Sequence, residues 1–187
     1  MKRLFAAILA AAVLLAVSEK TAAQDAAVSP EIATAFSQAG LGLLKNKVPA
    51  ADFKLPLLSA ETRSLSDYKG KVVFLNFWAT WCPPCREEMP AMEKLYQRFK
   101  NEGLVFLAVD IQEGRKEVEA FIKERGFSFP VALDEKGEAA GLYGIRSIPT
   151  TFIVDKDGNI IAAAIGGRQW DSSQMFAAFS LLLRDGS

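Results

Sequence analysis

Two stretches of this chain are almost unbroken runs of apolar residues, 72–78 (VVFLNFW) and 104–109 (LVFLAV). Each is followed by a segment whose apolar positions recur every three or four residues. After the first come Met89, Met92, Tyr96 and Phe99; after the second, Val118, Phe121 and Ile122 within 116–125. Continuous apolar strands alternating with amphipathic helices predict parallel strands with both faces covered. The helically spaced methionines read as core fillers. Pro90 removes one backbone hydrogen bond from the first helix and should kink it without ending it, because the pattern continues beyond.

The same pattern predicts a third strand over 129–133, a turn at Asp134-Glu135-Lys136-Gly137 and a helix over 138–143. Pro149 then opens a strand through Val154, at a strand position that tolerates proline. Residues 155–159 (DKDGN) form a hairpin turn to an antiparallel strand over 160–165, ended by Gly166-Gly167. Asp171 is placed to cap a last helix presenting Met175, Phe176, Phe179 and Leu183 on one face. Upstream, 53–58 and 61–65 flank a Ser59-Ala60 turn and read as a hairpin. Ser29-Pro30-Glu31 reads as a helix start, with Ile32, Phe36, Leu43 and Leu44 as a modest apolar stripe. Gly40 and Gly42 weaken that helix and leave a plain linker as the alternative. The expectation is an α/β domain with a mixed central sheet flanked by helices, preceded by a β-hairpin.

The amino terminus is of another kind. Met1-Lys2-Arg3 is basic, the 14 residues 4–17 are apolar, and Thr21-Ala22-Ala23 are small, which is the pattern of an export signal. A membrane-spanning helix needs about 20 apolar residues, so cleavage near Ala23 is expected, with an uncleaved anchor as the alternative. No cysteine follows the run, which rules out a lipid anchor. The expected division is 1–23 signal, 24–48 an extension or short helix, and 49–187 one domain. The 22 basic and 22 acidic residues balance. Losing residues 1–23 would leave 19 against 21, with no basic run to suit nucleic acid or an anionic membrane. Nothing in the pattern asks for more than a monomer.

The two cysteines, Cys82 and Cys85, enclose Pro83 and Pro84 where the first apolar strand hands over to its helix. Unpaired N–H groups and the positive end of the helix dipole favour a thiolate there, so Cys82 is expected as a nucleophile of lowered pKa. Cys85, one turn on, can attack a mixed disulfide on Cys82 and release the reduced partner. The prolines suit a helix start and stiffen the ring between the sulfurs. A zinc site would need further ligands, yet the chain has no other cysteine and no histidine. A c-type haem would need histidine where Arg86 stands. A purely structural disulfide over so short a loop would restrain little of the unfolded chain. No metal and no cofactor are expected.

KVVFLNFWATWCPPCREEMP, with LSDYKGK, GIRSIPTTF and GGRQW, resembles the thioredoxin superfamily, and within it the exported TlpA/ResA-like thiol-disulfide oxidoreductases. The hairpin with LSDYKGK is similar to that branch's amino-terminal addition, and 129–143 to its central strand-helix insertion. The resemblance implies a cis Ile148–Pro149 bond, with its loop against the cysteines and the Ile148 backbone pairing with an incoming peptide. Trp81, Pro83 and Pro84 would complete the rim that receives it, while Trp78 packs inside. Asn76 stands where thioredoxin has its proton-accepting aspartate and cannot titrate. Glu88, three residues after Cys85, takes that role in the resemblance; partial burial would raise its pKa. Glu87 should be solvated.

The branch further implies a periplasmic reductant of exported proteins, apocytochrome c foremost, supplied with electrons by a membrane thiol carrier. The rivals are an oxidase or isomerase on the same fold and, further off, a copper(I) relay holding the metal through both thiolates. Copper carriers of the Sco type use a wider cysteine spacing and a histidine, both absent here. The Pro-x-x-x-Thr-x-x-Cys arrangement of peroxiredoxins is also missing.

Overall fold

The computed structural model describes residues 28–185. The expected signal segment, 1–23, lies outside the described residues. Among the described residues five helices, α1 (Pro30–Gln38), α2 (Pro83–Phe99), α3 (Arg115–Arg125), α4 (Glu138–Leu142) and α5 (Ser173–Arg184), surround eight strands. The strands are β1 (Leu43–Pro49), β2 (Lys54–Pro56), β3 (Thr62–Ser64), β4 (Val72–Trp78), β5 (Leu104–Ile111), β6 (Val131–Asp134), β7 (Thr150–Val154) and β8 (Asn159–Ile165). Six of them form one sheet in the order β1-β8-β7-β4-β5-β6. β4, β5 and β6 run parallel, whereas β7, β8 and β1 add antiparallel, so the sheet is mixed.

All seven residues of β4 are buried, which is why its sequence runs apolar without alternation. Val72, Phe74 and Trp78 face a core built with α1, α2, α3 and α5. Val73, Leu75 and Phe77 face a second core closed by Phe53, Leu55 and Leu57 of the hairpin and by Ala139 and Ala140 of α4. Phe74 is the hub of the first core, stacked on Phe106 at 4.3 Å and meeting the edge of Trp170 at 4.7 Å. Burying a side chain of this size contributes about 1.5–3 kcal/mol. The layers therefore rest on the two faces of one central strand, whose carboxyl end carries the cysteines.

The β2–β3 hairpin forms as expected, with Ala60 at a left-handed φ of 69° in its turn. It is tied to the sheet by Leu58 N–H, which donates to the Val131 carbonyl, and by Arg115, which donates to the carbonyls of Leu57 and Leu58. Three local expectations are corrected. The first helix stops at Gln38, with Gly40 at φ 76°, so Leu43 and Leu44 belong to edge strand β1 and not to a helical stripe. Ser172, not Asp171, caps α5, accepting from Met175 N; the Asp171 carboxylate is drawn instead to Lys94 of α2 at 2.6 Å. The buried face of α5 is Met175, Ala178, Phe179 and Leu182, with Phe176 and Leu183 only partly covered. No helix among the described residues is long and apolar enough to cross a membrane.

Candidate active site

β4 ends at Trp78, four residues before Cys82, which is the N-cap of α2; Pro83 and Pro84 occupy its first two positions. Their missing N–H groups cost nothing in a first turn. The Cys85 N–H, the first free donor beyond them, points at the Cys82 sulfur from 3.3 Å. The helix start thus places its electrostatic benefit on Cys82, the condition that favours a thiolate there once the pair is reduced. In the structure the two cysteines are joined as a disulfide with their Cα atoms 5.3 Å apart.

The segment after α4 closes the site from the other side. Ile148–Pro149 is cis, and the Ile148 carbonyl oxygen lies 3.7 Å from the Cys82 sulfur. Thr150 Oγ1 donates to the Ser147 carbonyl, and Gly166 N–H donates to that of Pro149, which fixes this loop against β8. Trp81 is 63 % exposed beside the disulfide, whereas Trp78 is fully buried. Trp81, Gln112, Arg146 and Ile148 line a groove of about 350 Å³ that opens next to the disulfide. Pro83 and Pro84 are exposed in the first turn of α2, and Pro84 lines a separate hollow with Glu88, Gly167 and Arg168.

Glu88 is buried, one helical turn after Cys85. Its Oε1 accepts from Asn76 Nδ2 at 3.1 Å; its Oε2 accepts from Arg168 N at 3.0 Å and Trp170 Nε1 at 2.9 Å. Burial pushes this carboxyl above its usual range, and the three hydrogen bonds pull it part of the way back. None of those bonds goes to a sulfur, so in the disulfide form the carboxylate is turned toward the β8–α5 loop. Glu87 is exposed, as expected. Asn76 also donates to Thr151 Oγ1 at 2.8 Å, so a neutral amide bridges Glu88 to β7 where a second carboxylate would repel it.

Sequence reasoning assigns no role to Trp170, although GGRQW carries part of the resemblance. The visible signal was a tryptophan in a polar loop, but its partner Glu88 is 82 positions away. It also passed over Asp110 and Glu113. The signal there was an acid closing the apolar run of β5. Among the described residues no cluster of Cys, Asp or Glu side chains is placed to hold a metal ion.

A strand-turn-helix bearing a disulfide at the helix N-terminus, faced by a cis-proline loop, is the arrangement of thioredoxin-fold oxidoreductases. Residues 47–163 match the AhpC/TSA family. Over 117 residues the chain is 43 % identical to thiol-disulfide oxidoreductase ResA of Bacillus thuringiensis (strain Al Hakam), covering 63 % of this chain and 68 % of that one. Among solved structures, StoA from Bacillus subtilis superposes with a TM-score of 0.60 at 30 % identity, covering 68 % of this chain and 97 % of that one. A thiol:disulfide interchange protein of the thioredoxin family from Chlorobium tepidum gives a TM-score of 0.63 at 28 % identity, covering 73 % and 97 %. The chain belongs to the AhpC/TSA family and, within it, to the ResA-like thiol-disulfide oxidoreductases of thioredoxin fold.

Proposed function

We propose that this oxidoreductase works in the periplasm as a reductant of disulfides in exported proteins, apocytochrome c foremost, and is recharged by a membrane thiol carrier. The observation that carries the assignment of roles is the Cys85 N–H aimed at the Cys82 sulfur. In the reduced enzyme the Cys82 thiolate attacks one sulfur of the substrate disulfide. A mixed disulfide forms and the other substrate sulfur leaves as a thiolate, taking up a proton. Glu88 accepts the proton of the Cys85 thiol, and Cys85 then attacks the Cys82 sulfur. The enzyme disulfide closes and the second substrate sulfur is released as a thiolate. Two electrons have passed from the enzyme dithiol to the substrate.

Exposed Trp81 and the Ile148–Pro149 loop supply an apolar rim and a backbone acceptor beside the reacting sulfur, which suits an extended peptide. Export is supported by the basic, apolar, small-residue order at the start of the chain. Two cysteines in a single motif also suit a compartment where disulfides persist. The test uses the reduced soluble domain and an oxidised peptide bearing the Cys-x-x-Cys-His motif of a c-type cytochrome. Reduction of the peptide, with Cys85→Ser stalling as a mixed disulfide on Cys82, supports the reading. A domain that only introduces disulfides into reduced peptide would make it an oxidase and refute it.

A further inference from the structure

The mechanism leaves unused a second buried acid on the cysteine side of the sheet. Asp110, near the carboxyl end of β5, lies between Trp78 of β4 and Leu133 of β6 in the sheet register and is fully buried. Among the described residues both of its carboxyl oxygens lack a hydrogen-bond donor, and Trp78, its neighbour in register, has an Nε1 likewise without a partner. An ionised Asp110 would be an uncompensated charge in the core. Two residues on, Gln112 adopts a left-handed φ of 60° and the chain turns, bringing Glu113 back against Asp110. The Glu113 carboxylate accepts from Thr80 N at 2.6 Å and from Thr80 Oγ1 at 2.5 Å. Thr80 sits in the loop between β4 and Cys82, so one carboxylate pins the segment that delivers the cysteine.

We propose that Asp110 is a positioning residue for the cysteine loop: kept as a neutral acid, it donates to Glu113 and lets that carboxylate hold both donors of Thr80, two residues before Cys82. An acid with no donor of its own but an acceptor beside it is satisfied only in the protonated form. Burial, then Glu113 and then Asp134 at the end of β6 push Asp110 up to about 9. Those two carboxyls are the charged groups that bear on it. Once Asp110 loses its proton to solvent, two carboxylates confront each other and Glu113, the half-buried one, is the group free to swing out and release Thr80.

The consequence for chemistry rests on Cys82 being the attacking thiol, and the experiment separates the two ideas. In the oxidised protein, the ¹³C–¹H signal of the Thr80 methyl group is followed across pH, together with the Asp110 carboxyl carbon. The proposal expects a step in the Thr80 signal with a midpoint near 9, coincident with Asp110 titration. In Asp110→Asn, which keeps a neutral donor, the step should be lost. A Thr80 signal without that step, or one that titrates identically in Asp110→Asn, overturns it. Should the variant fail to fold, an Asp110 carboxyl in the wild-type protein that titrates in the ordinary aspartate range overturns it equally. In the reduced protein the pH profile of Cys82 alkylation should contain the same step and lose it in Asp110→Asn. Alkylation falling on Cys85 first would refute the role given to Cys82 and leave the Thr80 result standing.

Discussion

Replacing Trp170 with phenylalanine withdraws one donor from a buried carboxylate while keeping an aromatic ring against Phe74. In the native protein Glu88 has three donors, and the indole N–H, at 2.9 Å, is the shortest of them. A hydrogen bond to a charged group contributes about 1.5–3 kcal/mol, and one pKa unit corresponds to about 1.4 kcal/mol. Trp170→Phe should therefore raise the Glu88 pKa further above its already elevated value. The sign extends to stability. A folded-state value further above the unfolded one makes the folded state hold its proton to higher pH, so the variant loses more stability at neutral than at acid pH. The ¹³C shift of the Glu88 carboxyl carbon, read across pH in both proteins, gives the pKa directly, and urea unfolding at two pH values gives the linked stability. An unchanged or lower pKa in Trp170→Phe would refute the argument that these donors stabilise the carboxylate. The pH profile of disulfide exchange should move upward with the carboxyl if Glu88 is the base for Cys85.

Other outcomes follow from the same geometry. Asn76→Asp places a second carboxyl beside Glu88, so the pair should share one proton, and urea unfolding at neutral pH should show a loss of about 3 kcal/mol that shrinks on acidification. Between the unfolded aspartate value near about 4 and its folded value, Asp110 keeps a proton that the unfolded chain has lost. Wild-type stability should fall as pH rises through that window by about 1.4 kcal/mol per unit for this group, with Glu88 adding in the same sense. Asp110→Asn should remove its share, and an unchanged slope would count against the buried acid. Trp81→Ala should change stability by less than about 0.5 kcal/mol, since the side chain is mostly in solvent, yet raise the KM for a peptide disulfide. An unaltered KM would remove Trp81 from the rim.

What the sequence disclosed was set by local pattern. β4 was legible because burial on both faces leaves an apolar run, and the α2 start because a cysteine followed by two prolines satisfies the chemistry of a first helical turn. β1 was not. It is an edge strand with most residues exposed, its register against β8 shifts between Leu43 and Val48, and Lys45-Asn46-Lys47 reads as polar loop. The cap of α5 was misplaced by one residue because Asp171 and Ser172 are both competent; an ion pair to Lys94, 77 positions distant, decides between them. The position of Glu88 came from the resemblance, with partial burial as the condition for a raised pKa, but its donors did not. Arg168 and Trp170 reach it from the β8–α5 loop, a juxtaposition only the folded sheet creates.

The central claim, that the Cys82–Cys85 pair gives electrons to exported proteins, is tested most directly by its reduction potential, measured by equilibrating the soluble domain against thiol–disulfide buffers across pH. A value near or below about −270 mV, that of thioredoxin, is predicted for a reductant recharged by a membrane thiol carrier. A value near about −120 mV, in the range of a strong oxidant, would reverse the direction of electron flow and contradict the account.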